Sequence, residues 1–121
     1  MPRIQVNLDD VESAFEVYPD GDYFVEIKNS KIKQGANSPY IMWIAEILEG
    51  EFEGKMISWQ TSLAENALWN LKNLLETIGL AWDEDGFDTE EAHGGKLIVT
   101  NQVRAYEGVD RNNIVGYTKV G

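Results

Sequence analysis

Residues 65–88, ENALWNLKNLLETIGLAWDEDGFD, hold the one long helical pattern in the chain. From Ala67 onward, Leu68, Leu71, Leu74, Leu75 and Ile78 recur at helical spacing on one face, while Asn66, Asn70, Asn73 and Thr77 lie elsewhere. Ser62, with Glu65 three residues on, is the expected capping box, and Gly79 is the expected C-terminal stop. Such a helix needs a partner for its leucine face, and the flanking sequence supplies strands rather than further helices.

Upstream, Pro19-Asp20-Gly21-Asp22 reads as a turn. In the strand predicted over 22–33, Tyr23, Val25 and Ile27 alternate with Phe24, Glu26 and Lys28. The polar loop 34–39 breaks regular structure, and YIMWIAEIL then forms a second strand. Charged Glu46 should face outward with Tyr40, Met42 and Ile44, which sends Ile41, Trp43, Ala45 and Ile47 inward. Glycines in EGEFEGK, 49–55, suit a bulged turn onto a third strand at about 55–62, MISWQTS. Beyond the helix, an acidic loop and Gly94-Gly95 lead to LIVTNQVRAY as strand four and, after a turn at 107–110, to RNNIVGYTKV as strand five.

The resulting order, β-β-β-α-β-β, is that of the OB-fold, a five-stranded partly open barrel that binds oligonucleotides or oligosaccharides on its middle strands and two loops. The expectation is a mainly β, single OB-like domain over 1–121, with an acidic lead-in at 1–20 and the barrel at 22–120, the helix plugging one barrel end. A chain of 121 residues is sufficient for one core. With 43% hydrophobic and 26% charged residues it reads as an ordinary globular domain rather than a disordered one. The absence of cysteine rules out disulfides and thiolate metal sites. MPRIQVNLDD has no apolar leader pattern and no stretch is apolar enough to span a bilayer, so the expectation is a cytoplasmic protein with no membrane partner.

The net charge of −11 opposes binding to another polyanion on average. Twelve of the 21 acids, however, fall within residues 1–22 and 81–93. Residues 23–34 and 94–121 are each net +2. If the latter two segments are neighbours, the molecule is bipolar and a basic groove is available.

The runs YFVEI, EILEGEFEGKMI, ALWNLKNLLETIGL, GKLIV, AYEG and RNNIVGY, in this order over about 20–120, resemble a phage-encoded single-stranded DNA-binding protein family long catalogued as a domain of unknown function. The resemblance implies an OB-like fold, sequence-tolerant binding of single-stranded DNA, no catalysis, and a role in phage replication or recombination in the cytoplasm of a bacterial host. Phage or host replication and recombination proteins are the implied partners.

Single-strand binding without base specificity needs aromatic faces and cations along the backbone path. Tyr40 on strand two, Trp59 on strand three between Ser58 and Gln60, Tyr106 on strand four and Tyr117 on strand five are the expected stacking residues. Lys28, Lys31, Lys33, Arg104 and Arg111 are the expected phosphate contacts. Beside this stands a structural reading of each: the tryptophans as core, Trp43 and Trp69 foremost; the tyrosines as rim; the lysines as edge protection; and the arginines paired with Glu107 or Asp110. DEDGFDTEE departs from the EF-hand pattern, and His93 has no second histidine, so no metal, cofactor or enzymatic site is expected. An acidic protein-interaction module, or a DNA mimic built on the same fold, is the alternative function. Exposure of the apolar second strand would suit a homo-oligomer.

Overall fold

The computed structural model describes residues 16–120, apart from the side chain of Tyr106. Most of the expected acidic lead-in, 1–15, lies outside the described residues. The strands are β1 (Gly21–Gln34), β2 (Pro39–Ile47), β3 (Met56–Ser62), β4 (Lys96–Asn101), β5 (Arg104–Tyr106), β6 (Val109–Arg111) and β7 (Ile114–Lys119). One α-helix, α1 (Leu68–Ile78), lies between β3 and β4. Short 3-10 turns occupy Glu65–Ala67 and Thr89–Ala92. No helix among the described residues is long and apolar enough to cross a membrane.

The protein is mainly β. Five strands form an antiparallel sheet in the order β3-β2-β1-β4-β7, and β5 and β6 form a separate two-stranded ribbon. Strand β1 joins the two halves of the sheet: Gly21–Glu26 pair with β4, Val25–Gln34 pair with β2, and the register breaks between Ile27 and Asn29. A break of this kind bends a strand and increases its twist, which coils the sheet. The sheet is nevertheless not closed into a barrel. The edge strands β3 and β7 share no ladder and meet through one ring pair, Trp59 and Tyr117, with centroids 6.3 Å apart. Helix α1 packs against both edges.

The concave face carries the core. Val25, Ile27, Ile41, Trp43, Ala45, Ile47, Ile57, Leu97 and Val99 are buried there, covered by Leu71, Leu74 and Leu75 of α1. The expected inward set of strand two is thus the observed one. The Trp43 indole N–H, taken into this interior, is matched by donating to Thr61 Oγ1 at 2.9 Å. Tyr18 is buried with its hydroxyl donating to the Met56 carbonyl at 2.7 Å, and its ring lies 5.0 Å from Phe52.

Two local expectations are corrected. The capping box does not form: Ser62 Oγ instead accepts from Ala64 N at 3.0 Å, a 3-10 turn intervenes, and α1 starts at Leu68 without a side-chain cap. Gly79 does end the helix, at φ 77°. Strands four and five, expected as 97–106 and 111–120, are each cut in two. Asn101 is the reason. Fully buried, it donates to Tyr18 O at 3.0 Å and Asn112 Oδ1 at 3.1 Å, and its Oδ1 accepts from Asn113 N at 2.9 Å. Satisfying this amide breaks the β4–β7 ladder at Thr100/Asn101, and the chain beyond it leaves the sheet as the β5–β6 ribbon.

Candidate nucleic-acid interface

Directly opposed residues in adjacent strands share a face, so pairing assigns the convex side of the β1-β2-β3 meander. Lys31, Met42 and Gln60 form one row across the three strands on this face, flanked by the row of Lys33, Tyr40 and Ser62 and by the row of Asn29, Ile44 and Ser58. Expected site residues Lys31, Lys33 and Tyr40 are therefore brought together on one surface. Tyr40 is half-buried beside the β1–β2 turn, where Gly35 N donates to Ser38 O at 3.1 Å. Gly35 is needed there. A Cβ on it would lie 2.6 Å from the Ser38 carbonyl oxygen and 3.3 Å from the Tyr40 ring.

The β5–β6 ribbon stands over this sheet. Its two-residue turn has positive φ at both Glu107, 52°, and Gly108, 80°, the twist that suits a tight hairpin. Arg104 and Arg111 are opposed across the ribbon, and Ala105 is opposed to Asp110. Arg104 donates to Gln102 Oε1 at 3.3 Å. The pairing sets two arginines side by side on neighbouring strands, with Asp110 also in the cleft lining. Between ribbon and sheet lies an open cleft of about 750 Å³, whose lining includes Met42, Ser58, Gln60, Arg104 and Arg111. Met42 is 3% exposed although it belongs to the convex face.

The ribbon is aimed by its base. Asn112 Nδ2 donates to the Glu16 carbonyl at 2.8 Å, Asn112 Oδ1 accepts from Tyr18 N at 2.9 Å, and Val103 N donates to Asp20 Oδ1 at 2.7 Å. The run Arg111-Asn112-Asn113 thus places a cation at the cleft and two residues in the latch that fixes it.

The other expected site residues stand differently. Trp59 borders the cleft but is only 6% exposed, its ring belonging to the core opposite Trp43. The correction has a simple cause: with a period of two, polar neighbours Ser58 and Gln60 lie on the opposite face, so they argue for an inward Trp59. Tyr117 is on β7, apart from Arg111 on β6, and packs against the core. Burial raises its hydroxyl well above the usual phenol pKa; the neighbouring Trp59 indole N–H tempers that rise without forming a hydrogen bond, and both buried polar atoms are left unsatisfied. Lys28 is held by carboxylates, 3.0 Å from Glu26 Oε2 and 3.5 Å from Glu46 Oε1. The hydrogen bond to Glu26, then attraction to both acids, raises its pKa against a partial loss of hydration. Tyr106 ends β5 two residues after Arg104.

Sequence reading also missed two features. Met42, Ser58 and Gln60 as cleft lining require the strand register, which one chain's alternation does not give. Trp69, expected in the core, is 65% exposed. Its signal was present: Asn73 and Glu76 at i+4 and i+7 place it on the polar side of α1.

On the concave side of the β1–β2 hairpin, Ile32 lies beside Asp83, Asp85 and Asp88 of the acidic loop. Ile32 alternates with Lys31 and Lys33, so those cations and the acids of the 83–88 loop occupy opposite faces of this hairpin; Glu26 and Glu46 share the convex face and are paired with Lys28. Among the described residues no group of acids and histidine is arranged to hold a metal ion. His93 Nε2 lies 2.8 Å from Ser30 Oγ.

No curated protein matches the chain. A family model does, over residues 4–119, and the chain belongs to that family, the proteins of unknown function termed DUF669.

Proposed function

We propose that this protein binds single-stranded DNA, independently of sequence, on the convex face of β2 and β3 beneath the arginine ribbon. The observation that carries the reading is the cleft itself: a sheet floor continuous with the row of Lys33 and Tyr40, and walled by opposed Arg104 and Arg111. Phosphates meet Lys31, Lys33, Arg104 and Arg111, and a base stacks on Tyr40, an interaction worth about 1–3 kcal/mol and available to any base. Burial takes Trp59 and Tyr117 out of the stacking role first expected of them.

We read the coiled sheet as an OB-fold whose last two strands are each interrupted at the ribbon. Supporting it are the strand order, the approach of β3 to β7 at Trp59–Tyr117, and a cleft between the middle strands and the connection after β4, where that fold takes oligonucleotides. The resemblance to phage single-strand-binding proteins supports this reading, and with it we propose a role in DNA replication or recombination in the host cytoplasm, as a binding protein without a catalytic step.

The test is charge reversal. Arg104→Glu/Arg111→Glu is expected to weaken binding of a labelled oligo-dT at least tenfold and to flatten its salt dependence, while Lys96→Glu, opposed to Glu26 at the end of β1 remote from Lys31 and Lys33, leaves both unchanged. Equal affinity of the double variant and the natural chain would remove the ribbon from the site. The acidic loop around exposed Ile32 favours a second reading, contact with a basic protein partner. Co-purification of such a partner, with no oligonucleotide bound at low salt, would establish it.

A further inference from the structure

Outside the cleft, the largest exposed aromatic surface among the described residues is Trp69. It lines a groove of about 440 Å³ between α1 and β7, together with Asn70, Asn73, Val115, Tyr117 and Lys119. Neither asparagine carboxamide makes a hydrogen bond to another described residue, and the Thr77 hydroxyl, donating to Asn73 O at 2.6 Å, leaves its own lone pair available. Glu76, the one carboxylate in the lining, faces Lys72 at 3.9 Å, which moderates its charge toward an anion.

From this geometry we infer that the α1–β7 groove is a second nucleotide subsite, in which one base stacks on Trp69, offers its edge to Asn70 and Asn73, and sets its phosphate toward Lys119. The inference rests on the single-strand reading of the cleft and extends it. Two observations favour a nucleotide over a protein segment. The lining pairs one flat aromatic face with amides that both donate and accept, which matches a base. The groove also follows the cleft along β7: Ile114 lines the cleft, and Val115, Gly116, Tyr117 and Lys119 line the groove. A strand leaving the arginine ribbon along β7 therefore reaches Trp69 without crossing the acidic loop.

The experiment compares labelled oligo-dT of about 6 and about 15 nucleotides, lengths within the range one such domain covers. The natural chain is set beside Trp69→Ala, Trp69→Phe and Asn73→Asp, all changes on an exposed helix face. The expected result is that the longer oligomer gains affinity over the shorter, that Trp69→Ala removes about tenfold of that gain, that Trp69→Phe restores part of it, and that the short oligomer binds all four proteins alike. Unchanged affinity of Trp69→Ala and Asn73→Asp at both lengths would overturn the subsite and leave the cleft reading intact. Failure of the natural chain to bind either length would overturn both. Trp69-dependent binding of a neutral oligosaccharide in place of oligo-dT would overturn the nucleotide assignment.

Discussion

Two tyrosines show how one chemical group takes opposite value in one core. The Tyr18 hydroxyl has a carbonyl partner at 2.7 Å, and the Tyr117 hydroxyl is buried without one. Tyr18→Phe leaves the Met56 carbonyl unmatched and is expected to destabilise by about 1–2 kcal/mol. Tyr117→Phe removes an unsatisfied group and is expected to be neutral or stabilising, by up to about 1 kcal/mol. Urea unfolding of the two variants measures both, and a loss for Tyr117→Phe as large as that for Tyr18→Phe would mean a partner is present. Alkaline pH gives an independent check. With the folded pKa raised above the ordinary value of 10.0, the unfolded chain loses its proton first. This contribution to stability is therefore complete below about pH 10 and is lost as pH rises beyond it. Tyr117→Phe should make the alkaline fall in stability shallower. At Gly35, Ala pushes against the Ser38 carbonyl and the Tyr40 ring, so Gly35→Ala is expected to weaken oligo-dT binding more than it lowers Tm.

Elements were legible wherever period and pairing chemistry agreed. The first three strands, the inward set of β2, the glycine-bearing turn after it and the helix stop all follow from alternation and glycine placement. What escaped was set by tertiary satisfaction. Nothing in LIVTNQVRAY marks Asn101 as the residue on which the strand divides, because its role depends on Tyr18, Asn112 and Asn113 arriving from distant chain. Trp59 and Trp69 exchange places, core for surface, for a different reason: polar flanks suggest exposure for Trp59 and residue type suggests burial for Trp69, whereas the periods of two and 3.6 place each correctly. The ribbon hangs on the asparagine latch. Asn112→Ala removes the acceptor of Tyr18 N and the donor to Glu16 O, and should destabilise by about 1–3 kcal/mol. Hydrogen exchange should then speed up at the ribbon base and at 16–20 before it does in β1 and β2. Uniform loss of protection across the sheet would contradict a local latch.

Across the whole molecule, charge separation reconciles a net −11 with a polyanionic ligand. Screening limits a surface charge to about 8–10 Å at physiological ionic strength, so a strand on the convex face responds to Lys31, Lys33 and the arginine pair more than to acids on the hairpin's other face. Duplex is wider and stiffer and brings more phosphates toward those acids, so the same surface disfavours it. The direct measurement is anisotropy titration of labelled oligo-dT of about 30 nucleotides against matched duplex, from low to physiological salt. The account predicts strong preference for single strand and affinity that falls as salt rises, with a slope reduced in Arg104→Glu/Arg111→Glu. Absence of single-strand binding at low salt, or duplex bound equally well, would contradict it.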